Sequence, residues 1–249
     1  MKKLFIIGGG EIGRPGTPIE TTKLDKEMLK LTGKKKPRLL FLPTASGDSE
    51  SYYDVVKQHF GKRIGFTTDV LYLIKDKPNK KEVEKKIFSA DVIYVGGGDT
   101  LKMLRVWKKT GVDDVLKKAY EHGVILSGLS AGSICWFKGG PSDTRTFKNP
   151  KANPIKITCL GWLPAIHSPH YDVEKDRRPA IKKIMKRTPG VAIGIDNCCA
   201  LIIINDKYKV IATKPTANTY KAYWKAGKFF EVKIKKTKDY RPISELFSK

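Results

Sequence analysis

The segment Val124-Ile125-Leu126-Ser127-Gly128-Leu129-Ser130-Ala131-Gly132-Ser133-Ile134-Cys135-Trp136 places a serine between two glycines, directly after an apolar run. G-x-S-x-G in that setting reads as a nucleophile elbow, a strained strand-to-helix turn whose small residues leave the serine hydroxyl exposed. Ser130 is the candidate nucleophile, with Ser127 and Ser133 as weaker candidates, and the Ala131 amide sits where one oxyanion donor belongs. Cys135 is expected inside the following helix, as core. A second turn, Val95-Gly96-Gly97-Gly98-Asp99-Thr100-Leu101, also joins an apolar strand to a helix. Its glycines leave amides unshielded, as an oxyanion hole or anion nest requires. Read alone, it serves equally well as a βα turn capped by Asp99 or Thr100.

A serine nucleophile needs a base. The chain offers His59, His122, His167 and His170. His59 is expected on the surface of an early helix, and His122 at the end of the helix before the nucleophile strand, far from the elbow. The remaining two lie in Ala165-Ile166-His167-Ser168-Pro169-His170-Tyr171-Asp172, expected to be a loop. Pro169 stiffens the approach to His170, which is favoured as the base over His167. Gly8-Gly9-Gly10-Glu11-Ile12-Gly13 fits the dinucleotide pattern G-x-G-x-x-G. However, Pro15 and Pro18 delay the helix that such a site opens at its glycines, so a tight turn at the sheet edge is expected and no cofactor is implied.

The elements that must position these groups follow from periodicity. Lys3 to Ile7, Leu39 to Leu42, Asp69 to Ile74, Val92 to Val95 and Val124 to Leu126 are short apolar runs. Stretches with helical spacing separate them, such as Leu24/Met28/Leu31 and Leu101/Leu104/Trp107. Strands buried on both faces and alternating with helices predict a mostly parallel central sheet flanked by helices. From about Gly190 the runs Val191 to Ile195, Ala200 to Ile204, Tyr208 to Ala212, Lys221 to Trp224 and Phe229 to Ile234 predict antiparallel hairpins finishing that sheet. No repeat or linker interrupts the chain, so residues 1–249 are expected to form a single α/β domain.

Composition bounds the rest. With 249 residues, 40% of them hydrophobic, the chain is globular and can bury a large core. The net charge of +24 raises the possibility of a nucleic-acid partner. Only nine of the 49 basic residues are arginine, and the lysines fall in short runs along the whole chain, which suits a solvated surface rather than specific nucleic-acid recognition. No apolar stretch could span a membrane, and the N-terminal apolar run is too short for a signal peptide, so a cytoplasmic protein is expected. Four cysteines without CxxC spacing imply neither a disulfide framework nor zinc, and no His/Asp/Glu cluster has metal-ligand spacing.

Taken in order, the GGGDT turn, the G-x-SAG elbow and the S-P-H-Y-D loop resemble peptidase family S51, the dipeptidase E (aspartyl dipeptidase) and cyanophycinase-like serine peptidases. The block Gly194-Ile195-Asp196-Asn197-Cys198-Cys199-Ala200-Leu201 is similar to that family's G-I-D-E-x-T-A-L. The resemblance runs from the first strand to about residue 215. It implies a class I glutamine-amidotransferase-like sandwich, a serine nucleophile, a histidine base and cleavage of small peptides after an N-terminal acidic residue. Gly98 and Ala131 would then supply the oxyanion amides.

The third member of the triad is where this chain departs from the pattern. Asn197 stands where relatives carry Glu, and Asn can orient an imidazole without stabilising its charge. Asp143, thirteen residues after Ser130, is favoured instead because a similarly placed acid belongs to the triad in dipeptidase E; Asp196 is a third option. Arg145, Arg177 and Arg178 are the guanidinium groups nearest in sequence to the catalytic segments, so at least one is expected to hold the substrate carboxylate. The competing reading is an amidase, an esterase or a catalytically weakened binding protein of the same fold; on either reading a monomer or homodimer is expected.

Overall fold

Side chains alternate across a strand, and the first strand shows how that builds the layers. In β1 (Lys3–Ile7), Leu4 and Ile6 enter one apolar core while Phe5 and Ile7 enter another. The computed structural model describes residues 1–147, 149 and 151–249. After β1 come α1 (Thr22–Thr32), β2 (Arg38–Leu42), α2 (Glu50–Val56), β3 (Thr67–Val70), α3 (Lys80–Phe88) and β4 (Val92–Val95). They are followed by α4 (Thr100–Thr110), α5 (Val112–Glu121), β5 (Ile125–Leu129) and the one-turn α6 (Ala131–Ile134). The chain continues through β6 (Phe137–Ser142), β7 (Ile155–Thr158), β8 (Leu163–Ser168), α7 (Arg177–Met185) and β9 (Ala192–Ile195). Last come β10 (Cys199–Ile204), β11 (Lys207–Ala212), β12 (Thr219–Lys225), β13 (Lys228–Ile234), β14 (Arg241–Pro242) and α8 (Ser244–Phe247).

The result is a mixed α/β fold with two sheets. One has the order β14-β11-β10-β1-β5-β4-β2-β3, with β1, β5, β4, β2 and β3 parallel. The other runs β13-β12-β9-β8-β6-β7. Phe5, Phe41, Tyr94 and Ile125 cover one face of the larger sheet and pack with Leu24 and Met28 of α1 and with Val56, Phe60 and Ile64. Its other face, through Leu4, Leu40, Ile93 and Leu126, shares a core with α3, α4, α5 and the inner side of the second sheet at Phe137, Leu163 and Ile193. Ile181 and Met185 of α7 cover the outer side of that sheet. No helix among the described residues is long and apolar enough to cross a membrane.

Three expectations are corrected. The helix after the elbow ends at Ile134, so Cys135 is buried core beyond its end. The C-terminal strands do not all finish one sheet: β10 and β11 join the first, while β9, β12 and β13 join the second, with β9 parallel to β8. The strand β6 carries no alternating pattern because close backbone approach defines it. A Cβ on Gly139 or Gly140 would overlap the carbonyl oxygens of Ile157 or His167.

His59 is the third correction. A π-helical turn over Lys57–Ile64 carries it inward, where it is 1% exposed. Its Nε2 lies 2.7 Å from Asp25 Oδ2, which also accepts the Thr21 hydroxyl at 2.6 Å. Burial pushes the Asp25 carboxyl up, against the lowering effect of those two partners. Removing one partner of such a buried pair strands the other. His59→Leu should therefore lose about 3–5 kcal/mol of unfolding free energy in urea. The Asp25→Leu/His59→Leu double variant should be more stable than His59→Leu alone; strict additivity of the two single losses would contradict the coupling.

Candidate active site

The elbow forms because two bare backbones meet the end of β4. A Cβ on Gly128 would stand 2.6 Å from the carbonyl oxygens of both Val95 and Gly132, and one on Gly132 would overlap Val95 O. With both glycines in place, β5 runs into Ser130 at φ 53° and ψ −112°, a conformation that L-residues rarely adopt. The Ser130 carbonyl is held by the amides of Ser133 at 2.9 Å and Ile134 at 3.0 Å. Among the described residues the Ala131 amide donates to no protein acceptor. The same is true of Gly98, whose φ of 137° and close contact with the Ala45 carbonyl exclude any side chain. Asp99 caps α4, accepting Lys102 N at 3.1 Å, and accepts the Thr144 hydroxyl.

His170 lies just after β8, at φ 52°. Its amide donates to Gly8 O at 3.1 Å, and its Nδ1 lies 2.7 Å from Asn197 Oδ1. An amide oxygen only accepts, so Nδ1 carries the hydrogen and Nε2 presents its lone pair. The Asn197 backbone is fixed in turn by donating to Asp172 Oδ1 at 2.8 Å. A Cβ on Gly9 would overlap both the Asn197 amide and the His170 ring. The Gly8–Gly10 turn is therefore not at the sheet edge; it follows the central strand β1 and backs the His–Asn pair.

Ser130, His170, Asn197, Gly98 and Asp143 line one cavity of about 1360 Å³. No hydrogen bond joins the Ser130 and His170 side chains among the described residues. Asp143 is not the partner of His170; its carboxylate lies 3.8 Å from the Arg177 guanidinium. Asp196 turns away as well, accepting Asn218 N at 2.8 Å, with its carboxyl raised to about 6 by burial. Ser127 is buried and donates to Phe5 O at 2.8 Å. Ser133 and His167 are both buried and bonded to each other at 3.1 Å, with His167 inside β8 rather than in a loop. His122 is exposed at the end of α5.

None of the three arginines lines the cavity. Arg145 is exposed. Arg177, with 3% of its side chain exposed, donates to Pro141 O at 2.9 Å and pairs with Glu174 as well as Asp143. Arg178 lies against the Tyr171 and Tyr220 rings, 4.4 and 4.5 Å from their centroids, and pairs with Glu231. Proximity in sequence misled here because α7 starts with these residues on its way to the second sheet. The cations that do line the cavity are Arg14, bonded to Glu11, and Lys102, which pairs with no described carboxylate. Arg14 directly follows the Gly8–Gly13 run, whose dinucleotide pattern gives no hint of a cation, and the helical spacing of α4 marks Lys102 only as a surface position. Among the described residues no group of three or more His, Cys, Asp or Glu side chains could hold a metal ion.

Burial lowers His167 from 6.5 to about 3. Between those values the unfolded chain binds a proton at this site and the folded chain does not. Stability should therefore fall as pH drops from about 6.5 toward 3, by up to about 1.4 kcal/mol per pH unit from this group. Urea unfolding at pH 7, 6, 5 and 4 should show a shallower acid slope for His167→Gln; an unchanged slope would assign the acid sensitivity elsewhere.

The chain is similar to known proteins in sequence and in fold. The family model described as "Peptidase family S51" matches residues 4–211. Uncharacterized peptidase YgaJ of Bacillus subtilis is 34% identical over 241 residues, which cover 94% of this chain and 97% of the relative. Peptidase E of Streptomyces coelicolor is 28% identical over 54% of this chain and 51% of its own. The crystal structure of a peptidase from an acI-B1 Actinobacterium superposes with a TM-score of 0.70 at 19% identity, covering 97% of both chains, a likeness of fold. A family match over most of the sequence, joined to a full-length relative, shows that the chain belongs to peptidase family S51, a family of serine peptidases.

Proposed function

We propose that this protein hydrolyses short peptides through an acyl-enzyme on Ser130. The observation that carries the reading is the strained Ser130 beside two open amides, in one cavity with a His170 whose tautomer Asn197 sets. His170 Nε2 takes the Ser130 proton as Oγ attacks the scissile carbonyl. The oxyanion is held by the Gly98 and Ala131 amides, and His170 returns the proton to the leaving amine. Water, activated by the same imidazole, then releases the acyl group. Asn197 serves as a neutral third member, as Asn does in Cys-His-Asn peptidases. The layered arrangement is read as a class I glutamine-amidotransferase-like sandwich in a single domain, and four unpaired thiols suit a cytoplasmic setting.

The acidic preference implied by the family resemblance needs a cation or several hydrogen-bond donors in the pocket. Arg177 is already shared between Asp143 and Glu174, so Lys102 is the group we assign to a substrate carboxylate. The second reading, a weakened hydrolase or binding protein, is favoured by one observation: the uncharged Asn197 leaves imidazolium without a counter-charge.

A dipeptide panel and a fluorophosphonate probe test both readings. Wild type should be labelled at Ser130 and should hydrolyse dipeptides. Ser130→Ala should do neither, and His170→Ala should lose at least about 10²-fold in kcat/KM. Turnover retained in Ser130→Ala would reject the mechanism, and folded wild type that resists labelling would favour the binding reading. Lys102→Met should raise KM for Asp-Leu about tenfold while leaving labelling intact; an unchanged KM would remove Lys102 from the substrate site.

A further inference from the structure

The chain contains a second serine–histidine pair directly beneath the first. Ser133 lies on α6 and His167 on β8, both fully buried, so no substrate reaches them. His167 stacks on Phe137, with centroids 4.4 Å apart, and its Nδ1 lies 2.7 Å from Ile193 O. A carbonyl oxygen only accepts, so Nδ1 carries the hydrogen and Nε2 must accept. Its partner is the Ser133 hydroxyl at 3.1 Å, which also lies 2.8 Å from the Ser130 carbonyl oxygen. The single hydroxyl hydrogen therefore lies within reach of two acceptors, Ser130 O and His167 Nε2.

That carbonyl belongs to the peptide whose N–H is the Ala131 amide. In a planar trans peptide the C=O and N–H point in opposite directions. Holding Ser130 O inside the elbow turns the Ala131 N–H the other way, where it has no protein acceptor among the described residues. A residue in so sparsely populated a backbone region persists only when its surroundings over-determine it. Three donors converge on this one oxygen: two backbone amides and the Ser133 hydroxyl.

We propose that Ser133 and His167 are positioning residues that tie the elbow to the second sheet and aim the Ala131 amide at the developing oxyanion. This rests on the Ser130 mechanism proposed above. A loss here should appear in the transition state and not in ground-state binding.

The test compares wild type with Ser133→Ala, Ser133→Thr and His167→Gln. It reads kcat, KM, the melting temperature and the affinity of a peptide aldehyde, whose hemiacetal on Ser130 places its oxygen in the same hole. Ser133→Ala should lose about tenfold in kcat and a matching factor in aldehyde affinity, with KM within about twofold. Ser133→Thr, which keeps a hydroxyl, should recover most of both. Wild-type kcat in Ser133→Ala, or a kcat loss that aldehyde affinity does not follow, would overturn the proposal. If Ser133→Ala does not fold, His167→Gln decides by the same criterion of parallel or divergent losses. Turnover that survives in Ser130→Ala would instead reject the underlying mechanism, so the two failures are distinguishable.

Discussion

The candidate site depends on how closely two backbones approach at the ends of β4 and β5. Val95 O lies where side chains on Gly128 and Gly132 would have to be, and only bare backbone fits on both sides of Ser130. At that contact the strand turns at once, with Ser130 at a positive φ, and the single-turn α6 follows. The short helix then delivers Trp136 and Phe137 to the second sheet, so the same contact decides where the chain changes layer.

The second sheet does for the histidine what the first does for the serine. β8 and β9 are parallel neighbours, so the segments just after them, carrying His170 and Asn197, emerge at the same end. The central strand β1 brings Gly8 and Gly9 up behind them, close enough that the His170 amide bonds Gly8 O. Parallel strands from two sheets thus open onto one cavity, the usual location for a site in an α/β fold. Arg177 and Arg178, close in sequence to His170, are paired with carboxylates and do not line the cavity.

An Asn at position 197, where the family resemblance implies an acid, bears on the electrostatics more than on the geometry. The 2.7 Å contact still selects the imidazole tautomer with a free Nε2. What it lacks is a charge opposite the imidazolium that the proposed proton transfer would form. Under the proposed mechanism, alignment of the Gly98 and Ala131 amides would then carry a larger share of transition-state stabilisation, which bears on the buried Ser133–His167 contact under the elbow.

The parallel strands, the elbow and the GGGDT turn are legible in the residues themselves, because local periodicity and small-residue spacing specify them without reference to distant parts of the chain. Elimination among four histidines leaves His167 and His170 as candidate bases, and only His170 lines the cavity with Ser130. Whether Asp143, Asp196 or Asn197 meets it depends on contacts between segments about 27 residues apart, and no local pattern encodes these. The same holds for His59, which a π-helical turn carries inward onto Asp25, and for β6, a strand made by the approach of neighbouring carbonyls to bare glycines. The amino-acid sequence by itself determined which groups could react, since reactivity resides in residue type and the local turn. Only the tertiary structure decided which of them meet, since pairing across two sheets is settled by register and packing that span the whole chain.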